Sequence, residues 1–156
     1  MYTNNKVGNV IYKVIEYFGD DVRRINHFLK VYGYVKMIGE CENLDDSMQE
    51  ILEVTAVLHD VGIKVAEQKY NSSAGHYQQL EGPPVAKKIL DELGYPDDFV
   101  ERVMYLIAHH HTYTNIDGMD YQILVEADFL VNADEDRLSS DAIENFKEKI
   151  FKTTTG

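Results

Sequence analysis

The stretch Ala56–Lys64, AVLHDVGIK, decides how this chain folds. Its first three residues are apolar and continue a helical pattern, so they carry His59 and Asp60 directly into the interior. Gly62 is expected to end this helix. A buried His and Asp side by side are costly to hold without a partner, and a divalent metal is the usual partner for them. The other ligands of such a site lie far away in the sequence, so a helical fold has to bring them together.

The composition favours one helical domain. The chain has 156 residues, 44% of them hydrophobic and 27% charged, which is enough for a single domain with a hydrophobic core. It contains only 3 prolines, and its long segments are rich in Leu, Ile, Val, Glu and Lys, which favours helices over a sandwich or barrel. We therefore expect residues 1–156 to form one all-α bundle of about six or seven helices without strands.

Charge and cysteine content exclude several classes of function. With 27 acidic and 15 basic residues, the net charge is -12, so the chain should not bind a nucleic-acid polymer over a broad surface. A small anionic ligand would need a local positive site, which a metal could supply. Cys41 is the single cysteine, which excludes an intramolecular disulfide and a Cys-based zinc site. We find no signal peptide and no membrane-spanning run, so we expect a cytoplasmic protein without a membrane partner; the oligomeric state stays open.

Apolar periodicity divides the chain into seven helical segments. Their limits follow from capping residues, glycines and prolines. The predicted helices are Asn4–Phe18, a helix capped by Asp20 or Asp21 that runs to about Cys41, a helix capped by Asp46 or Ser47 that ends at His59–Asp60, a helix opened by Glu81–Pro84 and ended by Gly94, a helix from Pro96–Asp97 to His109–His111, a helix from Tyr121 to about Asn132, and a last helix capped by Ser139 or Ser140.

Three segments between or beyond these helices are predicted to be irregular. From Val61 to about Gln78 the pattern is weak, because Asn71–Gly75 is typical of a flexible loop. We expect this stretch to act as a lid over the site. Thr112–Asp120 is predicted to be a second loop, and the Thr153–Gly156 end is expected to fray.

Asp128 is the second candidate ligand. In the apolar helix ILVEADFLV it shares a face with Leu124 and Val131, whereas Glu126 points to the other side and is expected to be solvated. A buried carboxylate needs a compensating charge. No Lys or Arg lies on this stretch, so metal ligation is favoured over a buried salt bridge.

Three consecutive histidines, His109–His111, close the fifth predicted helix. Successive helical residues point about 100° apart, so a regular helix cannot direct all three at one ion. The apolar pattern of Val103 and Leu106 places His110 on the core side, and we rank it first as a ligand. Whether His109 or His111 accompanies it is left open.

The remaining candidates carry a weaker signal when each is taken alone. Taken alone, His27 is explained as a core histidine with a satisfied hydrogen bond, and Glu81 as an acidic residue that favours a helix start. His76 lies in a polar loop and is expected at the surface. Lys64 and Lys69 follow the His-Asp pair; exposure is the usual role of such a lysine, and a phosphate contact is the functional alternative.

In the order His27, His59–Asp60, Asp128, the chain resembles the HD superfamily of metal-dependent phosphohydrolases. The apolar flanks AVLHDVG and ILVEADFLV match as well, and the resemblance covers roughly residues 20–134. It implies an all-helical bundle in which these four residues hold one metal ion.

The resemblance also implies a second group of ligands. Members with two metals add a His or Glu on the following helix and a His pair further on. Glu81 falls at the first of these positions, and His110 with His109 or His111 at the second. Imidazole and carboxylate ligands suit Fe, Mn, Zn, Ni or Co, as one or two ions.

The implied reaction is hydrolysis of a small phosphoester, such as a nucleotide or a phosphorylated metabolite. Asp60 would ligate or bridge metal and orient the attacking water, His59 and His27 would be neutral ligands, and Lys64 would contact phosphate. Two other functions remain open. One is a diiron oxygenase on the same fold, and the other is a non-catalytic, metal-stabilised module that binds a ligand.

Overall fold

The structure is a computed structural model that describes residues 7–156. This part of the chain contains eight α-helices. The predicted all-α class is confirmed, and this part of the chain contains no strand. The predicted start of the first helix at Asn4 lies outside the described residues. None of these helices combines the length and hydropathy that a bilayer crossing requires. The helices are α1 (Val7–Phe18), α2 (Val22–Cys41), α3 (Asp46–Leu58), α4 (Ile63–Tyr70), α5 (Gly75–Glu92), α6 (Asp97–His109), α7 (Met119–Glu135) and α8 (Ser140–Ile150).

The central helix of the bundle is α3, which packs against α1, α2, α6 and α7. Its residues 52–58 are all buried, because neighbours surround it on every side. One face, with Val54 and Leu58, joins the core shared with α1, α5 and α6. The other face, with Leu52 and Ala56, joins the core shared with α2 and α7. The C-terminus of α3, where the His-Asp pair follows, therefore lies between two hydrophobic clusters.

Side-chain caps fix the starts of three helices. Asp21 caps α2 and Ser139 caps α8, and each is one of the two residues predicted for its position. The cap of α3 is Asp45, whose carboxylate accepts a hydrogen bond from Met48 N at 2.8 Å. The prediction of Asp46 or Ser47 was therefore wrong by at least one residue, because the cap side chain has to reach the amide three residues later.

The predicted lid is largely helical. Residues Val61 to Gln78 contain α4 and the start of α5, and only residues 71–74 between them are irregular. Tyr70 at the end of α4 stacks on Tyr77 in the first turn of α5, with ring centroids 4.0 Å apart and planes inclined by 9°. This aromatic pair closes the junction, so the prediction of a long flexible loop was wrong.

Helix α5 begins six residues before Glu81, and Pro83 and Pro84 lie inside it rather than at its start. At this point α5 passes very close to the turn that follows α3. A Cβ atom on Gly62 would lie 2.5 Å from the backbone nitrogen of Gly82. Glycine is therefore required at position 62 by the close approach of two backbones.

The end of the chain is anchored to α7. The backbone amides of Lys152 and Thr153 donate to Glu126 Oε2 at 2.9 and 3.1 Å, and the Thr153 hydroxyl donates to Glu126 Oε1 at 2.6 Å. Thr155 also donates its hydroxyl to Glu42 at 2.6 Å. Glu126 is fully buried. The predictions of a frayed end and a solvated Glu126 were both wrong, because the Glu126 carboxylate and the polar groups of residues 152–153 form hydrogen bonds with each other.

Candidate metal centre

Four predicted ligands from three helices meet at one point. His27 comes from the interior of α2, His59 and Asp60 follow the last residue of α3, and Asp128 lies in the middle of α7. Both histidines and Asp128 are buried, and the Asp60 side chain is 13% exposed. The apolar pattern of each segment turns these side chains inward, although they are polar.

The donor atoms of these residues are separated by distances typical of ligands around one ion. The Nε2 atom of His27 lies 3.2 Å from His59 Nε2, 3.2 Å from Asp60 Oδ2 and 3.2 Å from Asp128 Oδ1. His59 Nε2 lies 3.4 Å from Asp60 Oδ2 and 3.3 Å from Asp128 Oδ1. Neighbouring ligands are this far apart when metal–ligand bonds are about 2.0–2.4 Å long. The arrangement therefore fits a divalent metal.

Hydrogen bonds at Nδ1 orient the imidazole rings. His59 Nδ1 lies 2.6 Å from Ala56 O, and His110 Nδ1 lies 2.6 Å from Ile107 O. A carbonyl oxygen can only accept, so each Nδ1 carries the hydrogen and donates. In the neutral rings Nε2 then keeps its lone pair, which is the form that binds a metal.

A second group of donors lies on the other side of Asp60. It consists of Asp60, His110 and His111, whose donor atoms all lie within 4.8 Å of one another. Asp60 Oδ1 is 3.6 Å from His110 Nε2, whereas Oδ2 faces the first group. His110 Nε2 is buried and has no hydrogen-bond partner among residues 7–156. A buried polar atom of this kind requires a partner, and a second ion would provide it.

The charges of the site are strongly coupled. Burial opposes a charge on His27, but hydrogen bonds and attraction from Asp128 and Asp60 outweigh it and raise its pKa to about 11. Burial would raise the pKa of both carboxyls, yet the neighbouring imidazoles hold them well below the usual range. Burial and the charge of His110 lower the pKa of His111 to about 4, so His111 is neutral near pH 7.

The two donor groups open into a cavity of about 480 Å³. Its inner end contains metal-site residues, and its mouth carries residues of both charges. The inner side chains are His27, Asp60, Gln78, His111 and Asp128, and the others are Asp21, Arg23, Arg24, Ile63, Ser73, Asn132, Glu135 and Asp136.

A sequence model of the HD domain matches residues 24–143. The chain belongs to the HD domain family. Its structure is similar to that of a predicted HD superfamily hydrolase from an uncultured Thermotogales bacterium, with a TM-score of 0.63 and 23% identity over 96% of this chain and 78% of that one. A search of curated proteins gave no match. The family predicted from the residue order is confirmed.

The structure places His111, not His109, beside His110 and Asp60. The His109 ring stacks on Tyr105 with centroids 4.2 Å apart, and its Nδ1 donates to Tyr105 O at 2.7 Å. His109 belongs to neither donor group, so the structure does not bring this candidate ligand together with the others. The chain turns out of the helix after His109, and this turn directs the next two side chains inward together.

Glu81 is not brought to the metal centre. It pairs with Lys69 at 3.1 Å and accepts a hydrogen bond from Tyr70 at 2.8 Å. The side chain that α5 contributes is Gln78, whose Oε1 accepts a hydrogen bond from His111 Nε2 at 2.9 Å. The early start of α5 explains the difference. In α5, Gln78 lies on the same buried face as Gly82, Ala86 and Ile89, which are buried at helical spacing.

Lys64 does not line the cavity, so the structure does not bring this predicted phosphate contact to the donor groups. Its Nζ donates to Tyr17 O at 3.3 Å and lies 5.1 Å from the centre of the Tyr17 ring. The positive groups at the mouth are instead Arg23 and Arg24, for which the sequence pattern gave no signal. His76 is exposed, as expected.

Proposed function

We propose that this HD domain is a metal-dependent phosphohydrolase that acts on a small phosphoester, such as a nucleotide or a phosphorylated metabolite. The observation that carries the proposal is the position of Asp60, whose two carboxylate oxygens face two separate donor groups at the inner end of one cavity. Two-metal sites of this kind suit in-line displacement at phosphorus, because the attacking and leaving oxygens can both be stabilised.

The donor set defines which ions this site would take. His27, His59, Asp60 and Asp128 would hold one ion, and Asp60, His110 and His111 would hold a second beside Gln78. Mixed imidazole and carboxylate ligands suit Fe, Mn, Zn, Ni or Co. When bound, such an ion lowers the pKa of a water molecule and polarises a phosphoryl oxygen.

The mouth of the cavity supplies a positive group for phosphate. Arg24 is paired with Asp21 at 3.1 Å and also with Glu67, so most of its charge is compensated. Arg23 has no ion pair within residues 7–156 and lines the same cavity. A guanidinium that is not engaged elsewhere can bind phosphate through two parallel hydrogen bonds. Arg23 is therefore our candidate for the phosphate contact in place of Lys64.

Cavity size and surface charge favour a small substrate. A volume of about 480 Å³ is typical of sites for small ligands. The net charge of -12 would repel a long polyanion outside the cavity. The structural neighbour is described as a hydrolase, which agrees with this reaction class.

The proposal is tested with a panel of nucleotides and sugar phosphates, assayed with added Mn, Fe, Co, Ni or Zn. We expect metal-dependent release of phosphate from a subset of the panel and loss of activity in Asp60→Asn. Salt-dependent binding to duplex nucleic acid is measured in parallel, and we expect none.

Two other results would replace the proposal. Metal-loaded protein that leaves every phosphoester intact but consumes oxygen with an organic substrate would indicate an oxygenase. Stoichiometric metal without any turnover would indicate a ligand-binding module.

A further inference from the structure

We infer that Glu135, the last residue of α7, is a positioning residue that holds His27 in the orientation required for metal binding. The inference rests on the metal site of the proposed function. It adds a carboxylate that contacts His27 at Nδ1, the ring nitrogen that faces away from the donor group, and acts on the site through that ring.

The contact that carries the inference is short and spans the chain. His27 Nδ1 lies 2.5 Å from Glu135 Oε1, across 108 residues of sequence. The Glu135 side chain is 20% exposed, and its other oxygen is 3.5 Å from Lys30 Nζ. A carboxylate accepts and the ring nitrogen donates, so this contact places the hydrogen of the neutral ring on Nδ1.

The acceptor for His27 Nδ1 differs in kind from those for His59 and His110. His59 and His110 stand at the C-terminal ends of α3 and α6, and each donates Nδ1–H to the carbonyl three residues earlier. The last carbonyls of a helix lack an amide partner and are available to do this. His27 lies inside α2, where each carbonyl already accepts an amide hydrogen of the helix. Its Nδ1–H is accepted instead by another element, at Glu135 Oε1.

Helix α7 supplies that acceptor together with a ligand. Asp128 and Glu135 are seven residues apart, about two helical turns, so their side chains share one face. Asp128 Oδ1 lies 3.2 Å from His27 Nε2, and Glu135 Oε1 contacts Nδ1. The imidazole is thus held between two carboxylates of the same helix.

This arrangement fixes both the orientation of the His27 ring and its tautomer. With the hydrogen held on Nδ1, the Nε2 lone pair points at the donor group, and the carboxylate makes that nitrogen a stronger ligand. Removal of such a partner typically weakens metal binding by about 10–100-fold.

The test compares Glu135→Ala and Glu135→Gln with Asp134→Ala. Asp134 is the preceding residue of α7, is exposed and does not line the cavity, so its variant makes the same charge change without touching His27. Metal affinity is measured by competition with a chromophoric chelator, and the absorption of the cobalt-loaded protein reports the ligand geometry. Thermal unfolding of the metal-free proteins checks the fold.

We expect Glu135→Ala to lose about 10–100-fold in affinity with a changed cobalt spectrum. Glu135→Gln, which keeps an acceptor oxygen without the charge, should lose less, and Asp134→Ala should match the parent protein. Unchanged affinity in Glu135→Ala, or an equal loss in Asp134→Ala, would overturn the inference. Should Glu135→Ala fail to fold, unchanged affinity in Glu135→Gln would overturn it alone.

Because the test measures metal affinity and not activity, its outcome is separate from that of the proposed function. Protein that binds metal but hydrolyses no phosphoester would refute the proposed reaction, while the effect of Glu135 on affinity would still be measured. Parent protein that binds no transition metal would refute both.

Discussion

At the scale of single residues, the carboxylates of Asp60 and Asp128 differ in the number of donor groups that they face. Asp60 faces both donor groups, whereas Asp128 faces only the group of His27 and His59. Asp60→Ala should therefore abolish most metal binding, and Asp128→Ala should remove mainly one ion per chain. Elemental analysis of the purified variants measures both, with Asp134→Ala as the control. Full occupancy in both variants would contradict the ligand assignment.

Adjacent histidines provide a matched pair of variants on one helix end. His110 Nε2 is buried without a partner among residues 7–156, and His109 is turned away to Tyr105. His110→Ala should weaken the binding of the second ion by at least about 10-fold, because loss of a residue that only orients a ligand already costs about 10–100-fold. His109→Ala should leave it unchanged. Isothermal titration with Mn or Zn distinguishes them, and equal effects would mean that the histidine run is only a helix end.

What the sequence could predict at this scale depended on apolar context. His59 and Asp128 were predictable because each lies in a continuous hydrophobic segment that has to be buried. Gln78 was not, because it lies in a polar segment whose helical structure, the early part of α5, no local apolar pattern indicated. Glu135 was missed because its role requires the docking of α7 on α2.

At the scale of helices, the close approach of α5 to the turn after α3 predicts opposite effects for two glycine substitutions. A Cβ on Gly62 would meet the backbone of Gly82 at 2.5 Å, and neither backbone can easily move. Gly62→Ala should therefore lower the free energy of unfolding by about 1–3 kcal/mol, the usual cost of overpacking. Urea denaturation with circular dichroism measures this.

The control for this substitution is Gly33→Ala. Gly33 is an exposed residue inside α2, and a Cβ atom added there would meet no other atom within 4 Å. Alanine at this position should raise the free energy of unfolding by about 0.5–1 kcal/mol, because glycine is a poor helix former. If Gly62→Ala and Gly33→Ala both raised the free energy of unfolding, the backbones at residues 62 and 82 would have to be further apart than the structure shows.

Helices with a strong apolar stripe were the easiest to predict. The segments that became α3, α6 and α7 have continuous buried faces, and their limits were close to those observed. Helix α4 was missed because it is only eight residues long and buries only Ile63 and Ala66. Its stability depends on packing against α5, which no local pattern reveals.

At the scale of the whole molecule, the last residues are part of the fold. Glu126 accepts hydrogen bonds from Gln122, Lys152 and Thr153 while fully buried. Glu126→Ala would leave the backbone amides of Lys152 and Thr153 without this acceptor, at a cost of about 1–3 kcal/mol in the free energy of unfolding. Residues 152–155 should also exchange their amide hydrogens faster. Chemical denaturation and hydrogen exchange measure the two effects.

The comparison variant is Glu148→Ala on the exposed side of α8, which makes the same charge change at the surface. It should alter stability by less than about 0.5 kcal/mol. If Glu126→Ala behaved in the same way, the end of the chain would not be anchored as described.

The position of Asp60 between two donor groups also determines the order in which ions load. The first group contains two carboxylates, but the second has only Asp60 beside the imidazoles of His110 and His111. An ion in the first group neutralises part of the Asp60 charge and repels a second cation nearby. Metal titration should therefore be biphasic, with a tight step followed by a weak one. When metal is scarce, the protein would hold one ion in the first group. The second group would fill only when the metal concentration is high.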